Sequence, residues 1–485
     1  MSDVTWDPVA FFARTQPDRV ALIQGEETWT YARLEEAVAE ASIAFYDQGL
    51  VSGEHVALEF GAEQGLHFAA TLHALHRAEL LPVPISQKLT EPERVTMRRR
   101  AQVDVALTAT PEASAMGSRL SAIKPPRFER RLDAPAAILF TSGTEGLPRA
   151  VVLTHGNLLW SALASARNLG VRANDVWLSC VPLHHVGGLS VLTRTAYYGT
   201  AALIHDKFDP DAVNRAIDTQ GVTIVSLVPP MLERLIDARG GKRFPSTLRA
   251  ALIGGGPAPV PLLQKAADRG LRALPTYGMT ETASQVTTLS PRDWPNGLET
   301  GGRPLPFTRV EIRDPEGRTL GPQQQGEIVV RGPMVAEAYF DDREKTAEAF
   351  QHRWFRTGDF GAWDSHGRLR VLDRRGDRMV VGGENVSPLE VESALATHPA
   401  VLEVCVVALD GGSWGHEITA IVVPRPNAQI TLDQLRAHAG QTLAGFKLPR
   451  RIQIVGSLPR NASGKLLRGE IRSRLAQEMA QEHRA

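Results

Sequence analysis

The chain has 485 residues, 43% of them apolar and 22% charged, with 54 Lys plus Arg set against 54 Asp plus Glu. That length outgrows a single core, so two or more domains are expected, and the composition excludes a disordered, fibrous or membrane-embedded chain. With no net charge there is no global field to steer the protein onto nucleic acid or an anionic bilayer, so any anion it binds must be held locally.

Cys180 and Cys405, the two cysteines, are too far apart for a disulfide framework or a CxxC site and read as small core residues in a reducing compartment. The start, Met1 to Asp7, lacks the basic residues and apolar run of a signal peptide. No apolar run reaches the roughly 18 residues that span a bilayer, so a cytoplasmic protein without membrane insertion is expected.

In chain order, a helix near 34–48 and apolar runs at 55–60 and 80–85 come first. The basic stretch 94–100 reads as a solvated helix end and is given no role. Runs at 136–140 and 150–153 predict two strands joined by a polar, Gly-rich loop, and 156–168 a helix. Strands at 176–181, 201–204, 222–228, 248–253 and 271–274 alternate with helices at 210–219, 230–238 and 260–269, the pattern of a parallel α/β sheet. After about residue 300 the texture turns to strands and glycine turns (309–313, 326–330, 369–372), predicting a β-rich subdomain. Beyond Asp373 come a strand at 379–381, a helix opened by Ser387 and Pro388 with Glu390 completing a capping box, strands at 401–408 and 418–423, and a helix from 431. The division expected is a large domain over 1–372 and a small α+β domain over 373–485. No repeat or long linker is visible, so the join is tight.

Four segments carry chemistry. The loop of Thr141, Ser142, Gly143, Thr144, Gly146 and Arg149 offers hydroxyls, backbone N–H groups and a cation to a phosphate, although it is not a GxxxxGK[ST] loop and a plain hairpin turn also fits. Tyr277, Gly278, Met279, Thr280 and Glu281 follow the last α/β strand, at the edge where such sheets bind ligands, and a carboxylate there suits Mg²⁺ on a triphosphate. Upstream, Gly254, Gly255 and Gly256 leave room for a flat ring. Asp359, with Asp373 and Arg374 further on, offers a carboxylate and an arginine to ribose hydroxyls. Lys465 stands on a loop near the C-terminus. Singly, Glu281 would be a surface charge, 254–256 a βα turn and Lys465 a solvated lysine.

Together, in this order and over essentially the whole chain, the segments resemble the adenylate-forming superfamily of acyl-CoA synthetases, luciferases and peptide-synthetase adenylation domains. The wording of 252–259, 277–285, 381–385 and 459–463 is most similar to the subfamily of o-succinylbenzoate:CoA ligases of menaquinone biosynthesis. The resemblance implies ATP, Mg²⁺, CoA and an aromatic carboxylic acid as ligands, with a homo-oligomer left open and no nucleic-acid partner. It makes Thr141, Ser142, Gly143, Thr144 and Gly146 the pyrophosphate loop with Arg149 at its end, and Glu281 the magnesium carboxylate. Thr280 becomes an α-phosphate contact, Gly254, Gly255 and Gly256 flank adenine, and Tyr277 belongs to the ATP site. Asp359 and Arg374 would hold the ribose, Asp373 would be the hinge of a mobile small domain, and Lys465 would bridge the attacking carboxylate and the α-phosphate. His185 takes the family's place at the acyl pocket, and Gly382, Gly383 and Glu384 form the loop that lines the CoA tunnel.

Two departures stand out. The loop usually ends Thr-Gly-x-Pro-Lys-Gly, where this chain has Glu145, Gly146, Leu147, Pro148, Arg149 and Ala150, and His184 replaces a usual aromatic. For a dicarboxylic acid such as o-succinylbenzoate, the carboxylate that is not activated needs a buried cation. Arg194, on a mostly apolar helical stretch after His185, is the expected partner, with Ser284 and Gln285 as further donors. The rivals are a ligase for another aryl or fatty acid, a free-standing amino-acid adenylating domain, for which no acidic partner of the substrate amine is visible, and a degenerate nucleotide-binding homologue.

Overall fold

The computed structural model describes residues 3–111, 129–141, 148–374, 379–381, 384–410, 416–460 and 466–482. At its centre lies a nine-stranded sheet. Six strands, Ala273–Met279, Ala250–Ile253, Ile224–Leu227, Val176–Ser179, Ala201–Ile204 and Val20–Gln24, are parallel in that spatial order. Antiparallel strands finish both edges: Ser284–Thr288 with Arg303–Pro304 on one side, Glu27–Thr30 on the other.

Both faces of this sheet are covered, which is why its strands read as unbroken apolar runs. Trp177, Ala202 and Leu252 point into one core with Leu158 and Leu189, from helices His155–Leu169 and Val186–Tyr198. Leu178, Leu203 and Ala251 point into the other, with Val213, Leu232 and Leu263 from helices Pro210–Thr219, Pro229–Arg239 and Val260–Asp268. Each of the last three helices has proline in its first turn, where the missing N–H costs nothing.

The early region is also built of parallel strands and helices but forms a sheet of its own. Leu81–Pro84, His55–Leu58 and Val105–Leu107 make a separate three-stranded parallel sheet, while Val20–Gln24 crosses to join the large one. Arg94 and Arg98 of the basic helix Glu91–Arg100 pair with Glu59 and Glu91, which leaves that stretch a structural role.

The β-rich subdomain is present, and it contains a strand that sequence pattern did not reveal, Trp354–Trp363, between Gly326–Arg331 and Leu369–Arg374. The smaller C-terminal part packs a sheet of Val401–Asp410, His416–Pro424 and Arg451–Ile454. Val406, Ile418 and Ala420 face helices Pro388–Leu395 and Leu432–Ala439, whereas Cys405, Val407 and Ile421 face helix Arg468–Glu482. Ser387 caps the first of these helices by accepting from the Glu390 N–H, and the Glu390 carboxylate pairs with Lys447. Both cysteines are buried core residues, as expected.

Candidate active site

The site gathers at the carboxyl ends of the parallel strands. The phosphate-loop hairpin is antiparallel, Pro135–Thr141 with Arg149–Thr154, and its last pair is Thr141 opposite Arg149. Ser142, Gly143, Thr144 and Gly146 lie outside the described residues. Residues 338–340 run beside the second strand, with the Phe340 N–H donating to Ala150 and an isolated bridge between Val151 and Tyr339. That contact puts the Tyr339 ring 5.6 Å from the Arg149 guanidinium and its hydroxyl 3.0 Å from Oε1 of Glu281.

Glu281 is buried in a one-turn 3₁₀ segment, Thr280–Thr282, that links the strand Ala273–Met279 to its antiparallel neighbour Ser284–Thr288. The first strand runs further than its apolar pattern suggested because this neighbour pairs with it, so Tyr277 and Gly278 lie within the ladder. Only glycine fits at 278: a Cβ there would stand 1.6 Å from the Ser284 carbonyl oxygen. The turn is tight enough to force Ala283 to φ 47° and Ser284 to φ 97°, the left-handed side that side chains avoid.

On the other flank, the Tyr277 hydroxyl donates to Oδ2 of Asp359 at 2.8 Å. Asp359 pairs across the ladder with Arg374, and Phe360 with Asp373. The two residues expected at the ribose are therefore cross-strand neighbours, and the expected hinge residue is the penultimate residue of its strand. Gly254, Gly255 and Gly256 follow Ile253, Gly255 at φ 78°, with open space where a Cβ of Gly256 would be.

The acyl side is built by the helix Val186–Tyr198, whose N-cap is His185. The ring centroids of His184 and His185 lie 4.4 Å apart. Burial holds His184 near pKa 3 and His185 near 4, so both are neutral at physiological pH. Their Nε2 atoms are buried without a hydrogen-bond partner.

Arg194, in the third turn of that helix, is only 2% exposed. Burial pulls its pKa down to about 10, which leaves it charged at neutral pH. It lies 5.7 Å from the Trp177 ring centroid, gives a 3.1 Å hydrogen bond to Ser161 Oγ, and has its Nε buried without a partner. Ser161 in turn donates to the Ala283 carbonyl at 2.7 Å. Through it Arg194 joins the strand that carries Ser284 and Gln285. Gln285 stands opposite side-chain-free Gly278, 3% exposed, with both amide atoms lacking partners.

An uncompensated cation and an unpaired amide are costly to bury unless a ligand answers them. Among the described residues no group of three or more His, Cys, Asp or Glu could hold a metal ion by itself. The buried carboxylate of Glu281 fits Mg²⁺ that arrives with a triphosphate and keeps most of its oxygen ligands there. Lys465, Gly382 and Gly383 lie outside the described residues. Glu384 is the register partner of Val381 in a two-stranded antiparallel sheet.

Sequence reasoning missed Tyr339 and Ser161. Signals for both existed: a tyrosine in an apolar stretch must find a partner for its hydroxyl, and Ser161 and Ser165 sit four apart on the face of the helix His155–Leu169 that packs inward.

A buried carboxylate held by Tyr339 in the turn after the last parallel strand, and a buried guanidinium linked to the same turn through Ser161, form an arrangement that can serve a metal-borne phosphate and an organic anion. The chain belongs to the AMP-binding enzyme family: residues 9–340 match the AMP-binding enzyme and residues 390–465 the AMP-binding enzyme C-terminal domain. It is 38% identical to the 2-succinylbenzoate–CoA ligase of Bacillus cytotoxicus, over 95% of this chain and 97% of that protein. Among solved structures it is similar to the o-succinylbenzoate CoA synthetase of Bacillus subtilis in complex with the acyl-adenylate intermediate. That match has 33% identity and a TM-score of 0.88, and covers 96% of this chain and 98% of the other. The same Bacillus subtilis protein in complex with ATP and magnesium ion matches at 32% identity and TM-score 0.88, over 96% and 99% of the two chains.

Proposed function

We propose that this enzyme is an ATP-dependent acid:CoA ligase that converts o-succinylbenzoate, ATP and CoA to o-succinylbenzoyl-CoA, AMP and pyrophosphate. The observation that carries the choice of acid is Arg194, a buried guanidinium with no ion pair among the described residues, linked through Ser161 to Ala283, two residues before Gln285 with its unpartnered amide. A second carboxylate on the substrate supplies what both lack.

In the first half-reaction an oxygen of the succinyl carboxylate attacks the α-phosphorus, and the bond to pyrophosphate breaks. No side-chain nucleophile is required; positioning and charge neutralisation lower the barrier. Arg194 and Gln285 hold the aryl carboxylate, with Ser284 beside them, and neutral His185 lines the acyl pocket. Tyr277 and 254–256 receive adenine, Asp359 and Arg374 the ribose, and 141–149 the triphosphate. Thr280 meets the α-phosphate and Glu281 holds Mg²⁺, which neutralises phosphate charge. Lys465 bridges the two reacting anions.

In the second half-reaction the CoA thiol gives up its proton, sulfur bonds to the acyl carbon and AMP departs. Movement of the small domain about Asp373 exchanges Lys465 for Gly382, Gly383 and Glu384. The domain limits of 1–372 and 373–485 belong to this reading; the two family matches leave residues 341–389 between them. We further place the enzyme in the cytoplasm, where ATP and CoA are available, in menaquinone biosynthesis. No helix among the described residues is long and apolar enough to cross a membrane.

The test is acid-dependent AMP release over a panel of carboxylic acids. Preference for o-succinylbenzoate supports the proposal, and preference for benzoate or a fatty acid removes it.

A further inference from the structure

Ser161 is 3% exposed in the middle of the helix His155–Leu169, in a position where a serine hydroxyl ordinarily turns back on its own helix. Here it faces outward, 2.7 Å from the Ala283 carbonyl and 3.1 Å from Nη2 of Arg194. The direction of both bonds is fixed by chemistry. A guanidinium has only donors, so the Ser161 lone pair must serve Arg194 and its single proton must go to Ala283.

The carbonyl that receives this proton belongs to the first of two residues held on the left-handed side of φ, at 47° and 97°. Such a turn persists only where its surroundings over-determine it. One hydroxyl therefore ties the acid-pocket cation to the turn that begins with Glu281 two residues earlier. Arg194 has little else to orient it: its Nε is unpartnered and its guanidinium carbon is 5.7 Å from the Trp177 ring centroid.

We propose that Ser161 is a positioning residue that sets acid specificity, by locking the Arg194 guanidinium at a fixed place relative to the Ala283–Ser284 turn so that it meets the substrate's second carboxylate. This rests on the reading that Arg194 pairs with that carboxylate. Ser161 does not touch the substrate; it acts through Arg194.

The experiment compares o-succinylbenzoate with 4-phenyl-4-oxobutanoate, the same acid without its aryl carboxylate, in the full-length wild type and in Ser161→Ala, Ser161→Thr and Arg194→Ala. Ser161→Ala should lower kcat/KM for o-succinylbenzoate about ten- to a hundredfold, the span of a hydrogen bond to a charged group. The loss should appear mainly in KM. For the mono-acid kcat/KM should change by less than about threefold, the KM for ATP should hold, and Ser161→Thr, which keeps the hydroxyl, should recover most of the preference. Equal losses for both acids in Ser161→Ala would make Ser161 a plain structural residue and overturn the proposal. If Arg194→Ala loses the preference and Ser161→Ala keeps it, Ser161 has no positioning role while the reading of Arg194 survives. A wild type without preference between the two acids would overturn both. Should Ser161→Ala not fold, Ser161→Cys, a near-isosteric change to a weaker hydrogen-bonding group, decides in its place: part of the preference must be lost, and an unchanged preference refutes the proposal.

Discussion

The hydroxyl of Tyr339 donates to the Glu281 carboxylate at 3.0 Å, across 58 residues of sequence. Burial and the neighbouring carboxylate raise the Tyr339 pKa well above its ordinary value, so the phenol remains a donor throughout the working pH range. Removing a partner that orients a metal carboxylate typically costs about ten- to a hundredfold in metal affinity or activity. Tyr339→Phe should therefore raise the magnesium concentration needed for half-maximal adenylation by that order, with the KM for the acid unaltered. A magnesium titration at saturating ATP checks it, and an unshifted midpoint would dissociate Tyr339 from the metal.

Arg194→Ala should lower kcat/KM for o-succinylbenzoate by tens- to thousands-fold, because truncating one side of a buried charge pair costs roughly 2–5 kcal/mol. ATP binding should be spared, since among the described residues the Arg194 guanidinium bonds to Ser161 and not to Tyr277, Glu281 or Asp359. Steady-state kinetics with each substrate varied in turn separates the two effects. An unchanged kcat/KM would move the second carboxylate elsewhere.

Much of this architecture was legible because the central sheet is covered on both faces. Runs such as 201–204 and 250–253 are apolar throughout and could hardly be anything but buried strands. The strand carrying Asp359 was hidden because Gly358, Asp359 and Gly361 break its alternation. Gly361 is there because a Cβ would meet the Arg370 carbonyl oxygen of the next strand at 2.7 Å. The order of motifs located Glu281, Tyr277 and Asp359, yet the bond from Tyr277 to Asp359 needs two strands from different sheets to meet. The spacing of Ser161 from Ser165 marks an inward face, but its partner is hidden for the same reason: the carbonyl it meets lies 122 residues away, at Ala283.

Acid should destabilise the fold early. Burial, with Arg130 nearby, holds His73 and His155 near pKa 3, and burial with His155 alongside holds His76 well below its usual value. Asp7 faces them, paired at 3.0 Å with Arg77 and with Arg130, while Glu35 covers the far side of Arg77. The unfolded chain takes up these protons below about pH 6.5, whereas in the folded chain His73 and His155 do so only near pH 3 and His76 well below its usual range. Stability is thus complete above about 6.5 and falls as the pH drops, by at most about 4 kcal/mol per pH unit for the three sites together. Burial works to raise the Asp7 carboxyl, but Arg130 and Arg77 outweigh it and hold it well below the carboxylate range, which extends the loss to lower pH. Tm measured from pH 7 to 4.5 should fall steeply, with a shallower slope in His73→Leu. A level Tm over that range would contradict the burial of these rings.

The two half-reactions should separate in two variants. Lys465→Ala should abolish adenylation yet still convert supplied acyl-adenylate and CoA to thioester, because its charge is needed only where two anions meet. Asp373→Pro, which fixes φ at the proposed hinge and removes an N–H from a paired strand, should slow one half-reaction more than the other. Near wild-type adenylation by the lysine variant, or equal losses in the proline variant, would remove the respective assignment.

The identity of the products tests the proposed reaction most directly. Incubated with o-succinylbenzoate, ATP, Mg²⁺ and CoA, the enzyme should yield o-succinylbenzoyl-CoA and AMP in equal amounts by mass spectrometry, with pyrophosphate alongside. Without CoA, it should hold the o-succinylbenzoyl-adenylate. ADP and phosphate in place of AMP and pyrophosphate, or nucleotide binding with no thioester formed from this acid, would contradict it.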